Sequence, residues 1–352
     1  MSVELGNLWH GAWRGFDDLI DVRAPAEYAE DHLPGAISLP VLSDAERARV
    51  GTIYKQVSPF DARKIGAALV ARNAARHIEE RLMDRPGGWR PLVYCWRGGQ
   101  RSGSFATILR QIGWRVEVLE GGYRSYRRAV VDALYSTALP FRLIALDGNT
   151  GTAKTELLGL LAERGMQVVD LEGLAGHRGS ILGALAGGQP SQKGFETALI
   201  DALQRLDPAR PVVIEAESAR IGTLRLPPAL WQAMTAAPRV VVEAPVPARA
   251  AYLARAYADL LADPDELMRL LSGLRQLAGG ARVAQWQALA AARDWQPLAE
   301  DLVLHHYDPA YARARKRDRA PVAARVLARG LSDAELPALA DRLVETLASV
   351  SV

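Results

Sequence analysis

Two glycine-containing loops, each between a short apolar run and a helical pattern, constrain the fold of this chain more than any other feature. The first, Cys95–Ser102 (CWRGGQRS), follows the apolar run Pro91–Tyr94. The second, Gly148–Thr155 (GNTGTAKT), follows the apolar run Arg142–Leu146. A short apolar run that leads through glycine into a helical pattern is typical of a parallel sheet covered by helices. The sequence therefore predicts α/β architecture around both loops.

The alternation of strand and helix patterns continues on both sides of residue 136. Further strands are predicted at 17–22, 36–39, 116–119, 167–170, 211–216 and 239–243. The chain has 352 residues, enough for two domains. We expect a parallel-sheet domain over 1–135, a linker over 136–140, a P-loop-type α/β domain over 141–310 and a basic, helical C-terminal region over 311–352.

The cysteine count limits the metal and disulfide chemistry of the chain, and the pattern of apolar residues indicates its cellular compartment. The chain has one cysteine, and its 43 basic and 40 acidic residues give a net charge of +3. One cysteine excludes an internal disulfide and any zinc site that needs two thiolates, and we expect no metal centre. The N-terminus lacks the pattern of a signal peptide, and no apolar run is long enough to span a bilayer. We therefore expect a cytoplasmic protein without membrane contact.

The loop that starts at Cys95 is typical of a site for a nucleophilic sulfur. The start of the following helix, together with the charges of two arginines, favours thiolate over thiol. Two glycines allow backbone N–H groups to turn toward one point. The competing interpretation is a small buried residue at the end of a strand. We expect Cys95 to be catalytic, in a loop formed by Trp96, Arg97, Gly98, Gly99, Gln100, Arg101 and Ser102.

The first 130 or so residues resemble a rhodanese domain. The matching stretches are Asp21-Val22-Arg23, Pro25, Glu27-Tyr28, His32–Ala36, the Cys95 loop and Glu120–Tyr123. The resemblance implies a rhodanese-like fold in which Cys95 carries sulfur or selenium. The spacing Cys-x5-Arg, from Cys95 to Arg101, is one residue longer than in the commonest sulfurtransferases and also resembles rhodanese-like phosphatases. The loop thus suits either a phosphatase or a transferase that handles a phosphorylated chalcogen.

The second loop has the pattern and the strand–loop–helix context of a P-loop. Its backbone N–H groups and the helix N-terminus would bind a phosphate or diphosphate. Ala153 stands where glycine is usual, and alanine costs about 1 kcal/mol if that position needs a positive φ. Thr155 would hold Mg²⁺ if a nucleotide binds, and the nearest carboxylates are Glu215 and Glu217. We expect the diphosphate site to comprise Gly148, Asn149, Thr150, Gly151, Thr152, Ala153, Lys154 and Thr155.

Three polar clusters follow the predicted strands of the second half. Open α/β sheets bind ligands beyond the carboxyl ends of their strands, so we expect these clusters to converge near the P-loop. Any one of them alone is as well explained by an ordinary loop. The predicted polar site comprises Asp170, Glu172, His177, Arg178, Ser180, Glu217 and Arg220.

Most of the chain resembles the tRNA 2-selenouridine synthase family. Beyond the two loops, the matching stretches are Val50–Thr52, Tyr54-Lys55, Asp170–Gly173 and His177–Ser180. The resemblance implies a transferase that acts on the wobble 2-thiouridine in the anticodon region of tRNA. It further implies geranyl diphosphate and selenophosphate as co-substrates, and an enzyme that supplies selenophosphate as a partner. The alternatives are a Cys-x5-Arg phosphatase, and a sulfurtransferase with a nucleotide-sensing P-loop domain.

Transfer RNA would need a cationic surface, and arginine is concentrated in two parts of the chain. One part follows the Cys95 loop and the other lies within 313–329. A basic helix is more often a solvated surface than an RNA site. The candidate tRNA-binding residues are Arg124, Arg127, Arg128, Arg313, Arg315, Lys316 and Arg317.

Overall fold

A computed structural model describes residues 2–315 and 321–350, and its strands appear in both halves of the chain. The candidates Lys316 and Arg317 lie outside the described residues. The strands are β1 Ser2–Val3, β2 Asp18–Asp21, β3 Ala36–Ser38, β4 Pro91–Tyr94, β5 Glu117–Leu119, β6 Leu143–Gly148, β7 Gln167–Val169, β8 Val212–Glu215, β9 Arg220–Ile221, β10 Leu224–Arg225, β11 Arg239–Glu243 and β12 Val322–Leu327.

Helices separate most of these strands and dominate the C-terminal third. The helices are α1 Pro25–Glu30, α2 Asp44–Gln56, α3 Pro59–His77, α4 Gln100–Ile112, α5 Gly122–Val131, α6 Lys154–Glu163, α7 Leu171–Ala175, α8 Gln192–Leu203, α9 Pro228–Ala236, α10 Val246–Ala256, α11 Ala258–Leu261, α12 Pro264–Gly273, α13 Arg275–Ala278, α14 Gly280–Ala292, α15 Trp295–Leu302, α16 Asp308–Arg315 and α17 Leu336–Ala348. Within the described residues, no helix is long and apolar enough to cross a membrane.

The first compact unit comprises Met1–Thr137 and Pro190–Arg205. Its sheet has the order β1-β5-β4-β2-β3, and all neighbouring strands are parallel. The sheet residues Ile20 and Val93 pack with Phe105 and Leu109 of α4 in one apolar core. The predicted parallel-sheet architecture is confirmed, and Cys95 follows directly after β4, which lies in the middle of the sheet.

The second compact unit comprises Ala138–Gln189 and Leu206–Val352. Its parallel sheet has the order β12-β11-β6-β8-β7. The ends of β6, β7 and β8 lead to the phosphate loop, to Asp170 and to Glu215, respectively. Because neighbouring parallel strands end at the same edge, the phosphate loop and the polar clusters begin close together.

In the described part of the C-terminal region, α16 and α17 are helical, as predicted, but the expectation of helix over 322–327 is wrong. These residues form β12, which pairs in parallel with β11, and α17 then packs Leu339 and Leu343 into the core beneath the phosphate loop. The C-terminal region is therefore an edge strand and a covering helix of the second unit.

Helix α8 belongs to the first unit, although its chain lies within the predicted P-loop domain 141–310. Its Glu196 is fully buried and accepts hydrogen bonds from Arg127 and from Tyr135, the latter at 2.7 Å. Asp201 of the same helix pairs with Arg14 at 2.6 Å. The sequence prediction of continuous domains did not include this insertion.

Candidate functional site

Cys95 lies buried at the end of β4, with 4% of its surface exposed. Its Sγ accepts a hydrogen bond from Ser102 Oγ at 3.2 Å, and Ser102 lies in the first turn of α4. Burial acts to raise the pKa of the thiol. The hydrogen bonds from Ser102 and the Arg97 backbone, with the charge of Arg101, outweigh burial and lower the pKa below its usual value. The loop therefore stabilises the thiolate.

The start of α5 holds the Cys95 loop in place. The backbone N–H of Tyr123 donates to the Cys95 carbonyl at 2.8 Å, and that of Arg124 donates to the Trp96 carbonyl at 3.0 Å. Gly122 has φ of +58°, and a Cβ there would lie 2.2 Å from the Cys95 carbonyl oxygen. Only glycine fits this close approach, which accounts for the Gly-Gly-Tyr motif.

The two arginines of the loop differ in their surroundings. Arg101 forms a two-pronged ion pair with Glu27 of α1, at 2.7 and 3.3 Å, so its charge is shared with that carboxylate. Arg97 is exposed, and no described side chain pairs with it. Arg97 is therefore the guanidinium available to an anion that enters the loop.

The Asp21-Val22-Arg23 motif supports the loop indirectly. Arg23 and Asp21 form a buried ion pair at 2.6 Å, and the Arg23 guanidinium lies 3.9 Å from the centre of the Tyr123 ring. The Tyr123 hydroxyl donates to Asp31 at 2.6 Å. The ring of Tyr123 also contacts the half-buried indole of Trp96, with ring centres 5.3 Å apart. The contacts of Tyr123 with Arg23 and Asp31 were not predicted, because they join residues about 100 positions apart.

The phosphate loop lines a cavity of about 390 Å³ in the second unit. The cavity brings together most of the predicted polar residues, namely Glu172, His177, Arg178, Ser180 and Glu217 with Thr150–Thr155 of the loop. Leu185, Tyr252, Leu253, Tyr257 and Tyr311 also line it and were not predicted. They come from α10, α16 and irregular segments, to which the strand-end argument does not apply.

Four predicted residues do not line this cavity. Asp170 caps α7 by accepting from the Gly173 N–H at 2.7 Å, and Arg220 lies exposed on β9. Gly148 ends β6, and Asn149 donates to Asp308 at 2.8 Å. These residues support the site or lie beside it instead of forming its wall.

Lys154 begins α6, where the first N–H groups of the helix have no partner within it. Its Nζ donates to the Gly148 carbonyl at 3.0 Å. Burial acts to lower the pKa of Lys154. The Coulombic interactions with Tyr311, Glu217 and Glu172 outweigh burial and raise this pKa. The ammonium group is therefore retained.

The carboxylates Glu172 and Glu217 also line the cavity. Burial and the nearby Glu217 charge raise the pKa of Glu172 to about 7. Gly179 has φ of +65°, and a Cβ there would lie 2.3 Å from Glu172 Oε1. The Thr155 hydroxyl, which would hold Mg²⁺ if a nucleotide binds, donates to Glu172 at 2.8 Å. The described residues contain no group of three His, Cys, Asp or Glu side chains that could hold a metal.

Arg178 is placed to bind an anion in this cavity. One of its terminal nitrogens pairs with Asp259 at 2.7 Å, while the other, Nη1, is buried without a hydrogen-bond partner in the described structure. A buried donor without a partner is costly, and a phosphate oxygen would satisfy it. His177 Nδ1 is buried and unpaired in the same way.

A buried arginine, Arg249, links the phosphate loop to α16. Arg249 of α10 contacts Asp308 at 2.7 Å and donates through Nε to the Thr150 carbonyl at 2.9 Å. Asp308 also accepts from Asn149, and its helix carries Tyr311, whose ring centre is 6.0 Å from Lys154 Nζ. The loop and the helix over it are thus joined through Asp308.

The candidate tRNA-binding residues have different environments. Arg124 and Arg128 are exposed one turn apart on α5, and Arg313 is exposed on α16. Arg127 pairs with the buried Glu196, so its charge is already neutralised. Arg124, the first of the two exposed arginines of α5, is also the residue whose backbone N–H donates to the Cys95 loop.

A thiolate loop on one parallel sheet and a phosphate loop on another define a two-domain protein that joins a rhodanese-like domain to a P-loop-type domain. Family models agree: a rhodanese-like domain matches residues 6–129, and a tRNA 2-selenouridine synthase AAA domain matches residues 141–268.

Curated relatives extend this agreement over most of the chain. The tRNA 2-selenouridine synthases of Alcanivorax borkumensis and Hahella chejuensis are 33% and 35% identical, over 83% and 84% of this chain and 88% and 84% of theirs. That of Aeromonas salmonicida is 41% identical over 68% of this chain and 64% of its own. The chain belongs to the tRNA 2-selenouridine synthase family and is an enzyme of the transferase class.

Proposed function

We propose that this enzyme converts wobble 2-thiouridine of tRNA to 2-selenouridine in the cytoplasm, with geranylation in the second unit and selenation at Cys95 in the first. The name of the relatives supports the substrate and the product. One observation carries the division of labour. The first unit contains a stabilised thiolate, and the second contains a phosphate-loop cavity lined by Lys154 and Arg178.

In the first step, the thiocarbonyl sulfur of the base attacks C1 of geranyl diphosphate. A carbon–sulfur bond forms, the carbon–oxygen bond breaks, diphosphate leaves and the N3 proton of the base passes to solvent. Lys154, Arg178 and the N–H groups at the start of α6 would stabilise the charge that develops on the leaving group. The sulfur is then part of a thioether-like group, which departs more readily than a thiocarbonyl sulfur.

In the second step, the selenium of selenophosphate adds at the same base carbon and geranylthiol departs. Hydrolysis of the selenium–phosphorus bond releases phosphate, so the exchange needs no oxidant. The Cys95 thiolate would activate the selenium by accepting the selenol proton of selenophosphate and passing it to the departing geranylthiolate, while Arg97 and the N–H groups of the loop would hold the tetrahedral anion. An enzyme that makes selenophosphate would be the upstream partner.

Arg124 and Arg128 would bind the phosphates of the tRNA near its anticodon. Both lie exposed on α5, whose first turn contacts the Cys95 loop. Trp96 lies in the same loop, and its half-buried indole offers an aromatic surface to a base. This arrangement would present the wobble base to the thiolate.

Two variants test the division of labour, assayed with geranyl diphosphate, selenophosphate and thiolated tRNA and analysed by mass spectrometry of nucleosides. Cys95→Ala should accumulate geranylated thiouridine without selenouridine, and Lys154→Ala should lose geranylation. Lys64→Ala, an exposed lysine of α3, is the control and should behave as wild type. Normal selenation by Cys95→Ala would exclude the role of the thiol. Loss of selenation alone in Lys154→Ala would reverse the assignment of the two units.

A further inference from the structure

A second cavity adjoins the phosphate-loop cavity in the second unit. Its volume is about 50 Å³, and it lies among α10, α11, α12 and α15. Apart from Tyr257, Trp295 and Tyr307, its lining side chains are aliphatic. Leu253 and Tyr257 line both cavities, so the two spaces meet at a common wall.

Tyr257 lies between the two cavities, and its side chain has a polar and an apolar part. Its hydroxyl is hydrogen-bonded to Ser180 Oγ at 2.7 Å, and its ring centre lies 4.8 Å from the Arg178 guanidinium. The ring also packs against the apolar cluster that contains Leu267 and Leu298. One end of this wall is therefore polar and cationic, and the other is hydrocarbon.

We infer that the apolar cavity holds the distal part of the hydrocarbon chain of a prenyl diphosphate whose head binds at Lys154, an inference that rests on the proposed function. A nucleoside base would lose hydrogen bonds to water in this cavity and find few partners, which is costly. A hydrocarbon chain has no such cost and gains by leaving water. The pair of cavities thus favours an amphiphilic diphosphate over a nucleotide.

The size of the apolar cavity limits the length of the chain. Its volume of about 50 Å³ accommodates roughly four carbon-sized atoms, close to one isoprenoid unit. A first isoprenoid unit would lie in the larger cavity, against Tyr252 and Leu253. A ten-carbon chain would therefore place one isoprenoid unit in each cavity.

The test narrows the apolar cavity without changing the phosphate loop. Ala254 of α10 lines the cavity, whereas Ala251 of the same helix is exposed. Ala254→Leu adds three carbon atoms to the cavity wall, and Ala251→Leu is its matched control. Titration calorimetry on the full chain would compare inorganic diphosphate with dimethylallyl, geranyl and farnesyl diphosphates.

Wild type and Ala251→Leu should bind geranyl diphosphate at least about tenfold more tightly than inorganic diphosphate, since several methylene groups leave water. Ala254→Leu should lose about tenfold in affinity for geranyl diphosphate and keep its affinity for inorganic diphosphate. Leu298→Ala enlarges the same cavity and should shift the preference toward farnesyl diphosphate, which tests the site independently if Ala254→Leu folds poorly.

Unchanged geranyl affinity in Ala254→Leu, or an unchanged chain-length preference in Leu298→Ala, would overturn the inference. The inference would also be overturned if wild type bound geranyl diphosphate no more tightly than inorganic diphosphate. The phosphate loop could then still bind diphosphate. If the variants shift chain-length binding as expected but wild type transfers no geranyl group to tRNA, the cavity assignment stands and the proposed reaction fails.

Discussion

Ala153 holds a left-handed backbone conformation in the phosphate loop, with φ of 59° and ψ of 29°. This conformation costs a non-glycine residue roughly 1–2 kcal/mol. Its methyl group is buried in the apolar core with Leu157 and Leu158, which offsets part of that cost. The substitution of alanine for glycine thus keeps the backbone geometry of a P-loop and adds a core contact.

The balance between backbone strain and side-chain burial at Ala153 can be measured by comparison with Arg293. Arg293 has the same φ of 59°, but its side chain is exposed after α14. Arg293→Gly should stabilise the fold by about 1 kcal/mol, since the strain is relieved and no buried group is lost. Ala153→Gly should change stability by less than about 0.5 kcal/mol, because relief of strain opposes the lost burial of a methyl. Urea unfolding checks both. Equal effects of the two substitutions would contradict the argument.

Burial destabilises the Cys95 thiolate, and the hydrogen bond from Ser102 is the largest effect that stabilises it. Ser102→Ala should raise the pKa of Cys95, so that the thiolate is lost at a higher pH as the solution is acidified. The rate of alkylation by iodoacetamide, followed by mass spectrometry against pH, reports this pKa because the chain has one cysteine. Ser104→Ala, at an exposed position of the same helix, should leave the profile unchanged. An identical shift in both variants would reject the role of the hydrogen bond.

At the scale of elements, the C-terminal strand and helix complete the second unit. Leu343 of α17 is fully buried, whereas Leu327 at the end of β12 is 58% exposed. Leu343→Ala should cost about 2–5 kcal/mol of unfolding free energy, because it leaves a cavity in the core. Leu327→Ala should cost less than about 0.5 kcal/mol. Thermal and urea unfolding measure the difference, and a small effect of Leu343→Ala would mean that α17 is dispensable for the unit.

The strands with apolar runs were predictable, and those with weak patterns were not. Arg239–Glu243 was predicted to the residue, because its three consecutive valines between charged residues read as a buried strand. Val322–Leu327 contains two alanines and an arginine, good helix formers, and its strand conformation depends on pairing with β11 about 80 residues earlier. Local propensity does not contain that information.

The same distinction applies to the candidate site. The ends of the predicted strands indicated Cys95, Lys154, Glu172 and Glu217 as candidate site residues. This was possible because sheet topology fixes where the ends of neighbouring parallel strands lie. Tyr257 and Tyr311 reach the cavity from helices in the C-terminal half, so their positions depend on tertiary packing. The ion pair between Arg101 and Glu27 was missed for the same reason.

At the scale of the whole molecule, the first unit is not continuous in sequence, since it includes Pro190–Arg205. A fragment of residues 1–137 lacks Glu196 and Asp201, so Arg127, Tyr135 and Arg14 lose their partners. Removal of one partner of a buried ion pair costs about 3 kcal/mol or more.

We therefore expect the 1–137 fragment to unfold at lower urea concentration than the 1–137 fragment mixed with a peptide of residues 190–205. A peptide of the same composition in scrambled order serves as the control. Circular dichroism follows the transition. If the peptide raises the midpoint no more than the scrambled one does, the inserted helix does not contribute to the stability of this unit.

The inserted helix also sets the order of events on the ribosome. The first unit is complete only after residue 205 has been synthesised. By that time the segments that form β6 and β7 of the second unit have already been synthesised. At about 5–20 residues per second, the stretch from 138 to 205 takes roughly 3–14 seconds to synthesise. During that interval the surface that will contact α8 is exposed on a nascent chain, where chaperones have time to bind before folding is finished.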